Sequence, residues 1–156
     1  MSERLSTPDG LVAVRGPVEL GDQRGRTIGC PTANIAIEGT GVEDGVWAGW
    51  LDRADATRHA AAVSIGSRST IYGRHGFRLL EAHVLDFDDD LYDEVVTVFL
   101  CHRLRGQRRF PSLDALKDQL GEDVASARQW CEGSGWQPAA DDYVDLPWGV
   151  AVRVPR

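Results

Sequence analysis

Short runs of alternating apolar and polar residues follow one another along most of the chain. Residues 1–10 are polar and end in Pro-Asp-Gly. After them Leu11 to Val18, Thr32 to Ile37, Gly45 to Leu51, His59 to Ile65, Arg78 to Phe87 and Glu94 to Leu104 are each β-rich and bounded by Gly, Asp or Arg clusters. That pattern predicts strands joined by turns, hence an antiparallel barrel or sandwich. The period changes once. Leu113, Leu116, Leu120, Val124, Ala127 and Cys131 recur every three or four residues, which predicts a helix with its apolar stripe packed across one opening or face of the barrel. Ser112 is placed to act as N-cap, Asp114 sits favourably in the first turn, and Gly133 is the predicted stop. In the remaining tail, Trp136, Trp148, the Asp141-Asp142 pair and a closing Val150-Ala-Val-Arg-Val154 alternation fit either an added edge strand or a wrap over the helix.

A length of 156 residues with 42% apolar content suits one domain with a real core. The expected organisation is a flexible leader at 1–10, a barrel plus helix at 11–132, and a tail at 133–156 packing on the same domain. The net charge of -7 disfavours a general nucleic-acid surface, so an anion site has to be a local basic patch. Cys30, Cys101 and Cys131 are odd in number and form no CxxC pair, which indicates neither a disulfide framework nor a zinc site. The N-terminus lacks an apolar signal-like region, and no apolar run is of membrane-spanning length. A cytoplasmic, soluble monomer with no membrane partner is expected.

Candidate chemistry concentrates at residues 15–34. This stretch carries Gly16, Gly21, Gly25 and Gly29, the arginines Arg15, Arg24 and Arg26, and a closing Pro31-Thr-Ala-Asn34. Glycines admit close backbone approach, successive amides can form an anion nest, and arginines match phosphate oxygens. A long solvated hairpin turn has the same composition. Neither GxxxxGK[ST] nor GxGxxG is present. Thr32 and Asn34, two residues apart on a strand, project to one face and with phosphate oxygens can complete a magnesium shell.

Further along, alternation puts Leu79, Glu81, His83 and Leu85 on one face of a strand. A carboxylate there is either a paired structural acid or a general base, and His83 reads as a satisfied sheet residue. Asp86 to Asp93 lacks the glycine and closing glutamate of a calcium loop and reads as an acidic hairpin turn. Arg103, Arg105, Arg108 and Arg109 before Phe110 suit a solvated face and a substrate-holding patch equally. Trp47 and Trp50 fall on opposite faces of their strand, at least one of them in the core.

Taken in order, these pieces resemble the riboflavin kinase family. The run from Arg15-Gly16 through Gly21-Asp22-x-Arg24-Gly25-Arg26-Thr27-x-Gly29 to Pro31-Thr-Ala-Asn34 is similar to its nucleotide-binding signature. So are Gly45-Val-Trp-Ala-Gly-Trp50, Ala62-Val-Ser-Ile-Gly66, Glu81-Ala-His-Val-Leu-Asp-Phe87, and the strand, loop and helix from Arg103 to Arg128. The resemblance covers roughly residues 11–130. It implies a mainly β fold, a six-stranded antiparallel Greek-key barrel with one C-terminal α-helix. It also implies transfer of the γ-phosphoryl of ATP to the riboflavin 5′-hydroxyl, giving FMN and ADP. Carried over by motif, Glu81 is the general base. Gly21, Arg26, Gly29, Thr32, Asn34 and Tyr92 attend the nucleotide, and Thr32 and Asn34 hold Mg2+, Zn2+ or Mn2+. Arg105, Arg108, Phe110, Leu113 and Leu116 lie by the flavin.

The chain departs from the family pattern at three places. Asp93 follows Tyr92 where glycine is usual, Gln107 stands where Arg-x-Glu is usual, and Ser69-Thr-Ile71 replaces Pro-Thr-Phe. No HxGH-like nucleotidyltransferase motif is present, so the expected product is FMN and not FAD. Two other readings are a catalytically weak or inactive flavin-binding regulatory protein on the same barrel, and a single-strand nucleic-acid barrel. The second is disfavoured by the acidic balance and by aromatics that do not interleave with basic residues.

Overall fold

The computed structural model describes residues 12–19, 31–37, 43–67, 78–134, 137–138 and 150–153. Most of the glycine and arginine loop, including Gly21, Arg26 and Gly29, lies outside the described residues. Strands β1 (Val12–Pro17), β2 (Thr32–Ile37), β3 (Gly45–Asp52), β4 (Arg58–Ser67), β5 (Arg78–Val84) and β6 (Val95–Arg105) precede helix α1 (Leu113–Ser134) and a short β7 (Val150–Arg153).

Neighbours run in the order β2-β5-β4-β3-β6-β1-β7, and every pairing is antiparallel. Strands β3, β4 and β5 form a meander, and β2 returns beside β5, which is the Greek-key arrangement. The two ends of the six-strand set nearly meet: Glu19 N–H donates to the Asn34 carbonyl at 2.6 Å, an isolated bridge between the end of β1 and β2. The result is a nearly closed barrel. Strand β7 pairs with β1, so of the two placements open to the closing alternation the edge strand is the one adopted.

Side chains alternate between two cores, as the pleat requires. Val14, Ile35, Leu51, Val63, Leu80 and Val98 point inward and are fully buried. On the outer face, Ala13, Trp50, Phe99 and Cys101 pack against Cys131 of the helix. Trp47 belongs to the interior and Trp50 to the helix-facing layer, so both tryptophans are core. Burial pushes the Cys101 and Cys131 thiols up, that of Cys131 to about 12.

Strands β3 and β6 approach so closely at Gly49 that a Cβ there would stand 1.9 Å from the Phe99 carbonyl oxygen. The register slips twice just before this point along β3, between Val46 and Trp47 and again between Ala48 and Gly49. Such bulges re-aim side chains, and these bring Arg105 opposite Val46 on the outer face. Strand β5 ends at Val84, earlier than alternation through Phe87 suggests, because Asp86 turns the chain with φ 55°. The helix starts as its cap dictates: Ser112 Oγ accepts from Ala115 N–H at 3.1 Å. It runs one residue past Gly133.

Candidate active site

Two rows of residues cross the outer face of the barrel, and their contrast creates the site. One row reads Thr32, His83, Ala62, Ala48 and His102 across β2, β5, β4, β3 and β6; the next reads Asn34, Glu81, Ser64, Val46 and Arg105. The alanines of the first row let α1 settle against the sheet, where Ala127 packs on Ala48 and Ala62. Trp130 adds a stacked contact with His102, 5.6 Å between ring centroids. The second row has no such cover.

Helix α1 is consequently used in two halves. Its C-terminal half docks through Ala127 and Cys131. Its N-terminal half overhangs the second row, leaving Leu113 exposed and Leu116 and Leu120 half-buried, as walls of a cleft of about 520 Å³. Glu81 and His83 line the floor, Val46, Ala62 and Ser64 extend it, and Arg105, Gln107, Arg108 and Phe110 form the opposite rim. The sequence-based candidates Glu81, Arg105, Arg108, Phe110, Leu113 and Leu116 thus share one cleft. An apolar slot with a few convergent polar groups is the usual form of a small-molecule site.

Asn34 stands directly opposite Glu81, and Thr32 opposite His83. Asn34 and Glu81 are both buried, at 1% and 7% exposure. Asn34 Oδ1 and Thr32 Oγ1 are buried oxygens with no hydrogen-bond partner among the described residues. An orphaned buried oxygen is costly. Two of them side by side on one strand, next to a carboxylate, form a donor set suited to a hard divalent cation completed by phosphate oxygens and water. Among the described residues no three His, Cys, Asp or Glu side chains group as a metal site.

The rim of the cleft is held by a network that the sequence did not reveal. Arg105 forms a fork with buried Asp123, Nε to Oδ1 at 2.9 Å and Nη2 to Oδ2 at 2.7 Å, and its Nη1 donates to the Gly106 carbonyl at 2.9 Å. Gln119 also donates to Asp123 Oδ1 at 2.9 Å, and Arg108 donates to Gln119 Oε1 at 2.6 Å. Both guanidinium groups lie 5.9 Å from the Phe110 ring centroid. Arg105 therefore spends its donors on helix and loop and fixes Phe110 at the cleft, while Arg108 donates, among the described residues, to Gln119 alone. The available signal was Asp123 itself, a carboxylate three residues after Leu120 and four before Ala127, on the apolar stripe.

Tyr92 is half-exposed, in the turn between β5 and β6 and outside the cleft. That turn is tied to the barrel seam: Asp93 N–H donates to the Val18 carbonyl at 2.8 Å, next to the Glu19–Asn34 bridge. Glu94 accepts from Arg53 Nε and Nη2 at 3.0 and 2.9 Å, and this hydrogen-bonded pairing holds its carboxyl below the ordinary range. Asp86 is lowered likewise by Arg128 of α1. Asp93 adopts φ 71°.

A nearly closed antiparallel barrel with a cleft under the start of α1, floored by the buried carboxylate of Glu81, has the form of a small-molecule site. Residues 10–131 match the profile of the flavokinase family, described as riboflavin kinase, and the chain belongs to that family. It is 38% identical over 114 residues to the bifunctional riboflavin kinase/FMN adenylyltransferase of Haemophilus influenzae, covering 72% of this chain and 36% of that protein. To the protein of the same description from Pseudomonas fluorescens it is 40% identical over 116 residues, 74% of this chain and 37% of that one. The chain thus spans a little over a third of the length of these curated relatives. Among solved structures, riboflavin kinase from Trypanosoma brucei matches with a TM-score of 0.59 at 24% identity, over 95% of this chain and 99% of that one, a likeness of fold. Among the described residues no helix is long and apolar enough to cross a membrane.

Proposed function

We propose that the chain phosphorylates riboflavin at its 5′-hydroxyl, with ATP as donor and FMN and ADP as products. The observation that carries this is the opposition of Asn34 and Glu81 across β2 and β5 at the end of an apolar cleft. Family membership supports the flavin as acceptor. The isoalloxazine ring system is planar and apolar enough for the slot between Leu113, Leu116, Phe110 and the Val46–Ala62 floor, which leaves the ribityl chain directed toward Glu81.

Glu81 then accepts the 5′-hydroxyl proton as the oxygen attacks the γ-phosphorus. The new O–P bond forms as the bond to the β-phosphate bridging oxygen breaks, and ADP departs. A positioned base of this kind contributes ~10²-fold or more, and the rest of the acceleration comes from alignment and charge neutralisation. Thr32 Oγ1 and Asn34 Oδ1 would hold a divalent cation, Mg2+ or its Mn2+ or Zn2+ substitutes, and when bound it supplies neutralisation of phosphate charge. Arg105 acts indirectly by fixing Phe110; Arg108, on the rim of the cleft, is a cation placed to meet the ligand. The test is whether purified protein converts riboflavin to FMN in the presence of ATP and a divalent metal, read by chromatographic separation of the two flavins.

A further inference from the structure

Gln107 sits at the crest of the loop that rims the cleft, and its side-chain amide is clamped onto the sheet. Nε2 donates to Ser64 Oγ at 2.9 Å and to the Ile65 carbonyl at 2.8 Å, with the Gly45 carbonyl at 3.5 Å. Gly66 leaves the room for it, since a Cβ there would meet Nε2 at 3.3 Å. The rest of the loop is fixed elsewhere: its start by the Arg105–Asp123 fork and its end by the Ser112 cap. Gln107 is the link from the crest to β3 and β4, and Arg108 and Phe110 follow it directly.

We propose that Gln107 is a positioning residue for the acceptor side of the cleft, and that it serves only as an amide. The proposal rests on the riboflavin reading above. Two of the groups facing Nε2 are backbone carbonyls, which require a donor, and an ionised carboxylate has none to give. The glutamate usual at this place in the family pattern would keep at most the Ser64 hydroxyl as a partner and would face two carbonyl oxygens. Restoring the family residue in this chain therefore unclamps the loop. Binding of the acceptor then carries the cost of re-ordering Arg108 and Phe110, which raises its apparent dissociation constant. The donor phosphates, on the Asn34 side, are untouched.

The test compares wild type, Gln107→Glu and Gln107→Ala by riboflavin fluorescence titration, steady-state kinetics and thermal melting. Both variants should bind riboflavin about tenfold more weakly, equivalent to ~1.4 kcal/mol, with the KM for ATP unchanged and kcat within about threefold. Gln107→Glu should be no better than Gln107→Ala. If Gln107→Glu does not fold, Gln107→Ala decides by the same criterion. Wild-type riboflavin affinity in both variants, or equal losses for riboflavin and ATP, overturns the positioning role while leaving the riboflavin reading standing. A wild-type protein that does not bind riboflavin overturns that reading and this proposal with it.

Discussion

Asn34 on β2 and Glu81 on β5 face each other as an antiparallel pair on the outer surface of the barrel, both buried. Directly opposed side chains on neighbouring strands have Cβ atoms ~5 Å apart, so an amide oxygen without a partner among the described residues and a carboxylate stand within reach of one bound group. Replacing Asn34 by Ala removes one of two orphaned oxygens. The expected outcome is at least tenfold weaker binding of the metal–nucleotide complex by calorimetry, with riboflavin affinity unchanged. Unaltered nucleotide affinity would remove Asn34 from the cation site.

The Arg105–Asp123 fork is a second consequence of burial. Asp123 is 5% exposed and carries two arginine donors and one from Gln119. Taking away one partner of a buried pair strands the other, at a cost of about 3–5 kcal/mol. Asp123→Ala should lower the unfolding free energy by roughly 3 kcal/mol in urea denaturation. A loss below about 1 kcal/mol would mark the pair as solvent-screened.

Much of the fold was legible because its determinants are local. The strand Thr32 to Ile37 and the cap at Ser112 are each visible in six or fewer consecutive residues, and the structure has both. The site was legible in part. Glu81 lies on the predicted face of its strand, but that face only becomes a cleft because α1 docks through Ala127 on Ala48 and Ala62 and overhangs at Leu113 and Leu116. The small residues that set this tilt sit on three separate elements. The pairing of Asp123 is not legible for the same reason: its partner Arg105 is 18 positions away and is brought to it by two register slips between β3 and β6. The apolar stripe packs on the barrel through Ala127 and Cys131, while Leu113, Leu116 and Leu120 in its first turns wall the cleft.

Asp93 shows what a departure from the family pattern entails. It holds φ 71° where glycine is usual, a conformation that costs a non-glycine residue roughly 1 kcal/mol and is better tolerated by Asp than by most. Asp93→Gly should stabilise the protein by about 0.5 kcal/mol after the greater flexibility of the unfolded glycine chain is counted. A shift of the denaturation midpoint to lower denaturant would show that the Asp side chain contributes more than its backbone strain costs.

The turn also carries an acid-sensitive contact. Arg53 depresses the folded-state pKa of Glu94, so the pairing contributes stability that is complete above the unfolded glutamate value of about 4.3. It is lost as pH falls from there through the lower folded value. Wild type should lose stability more steeply than Glu94→Gln below about pH 4.5 and run parallel to it above about pH 6. Parallel curves throughout would show that the pair contributes nothing measurable.

The most direct measurement is FMN formation by wild type and Glu81→Gln with riboflavin, ATP and magnesium, alongside equilibrium riboflavin binding. The expected result is ATP-dependent FMN from wild type and a kcat at least ~10²-fold lower for Glu81→Gln, with riboflavin affinity retained. Wild-type protein that binds riboflavin yet forms no FMN with any nucleotide or divalent metal, or a Glu81→Gln variant that turns over as fast as wild type, would contradict the role given to the Asn34–Glu81 pair.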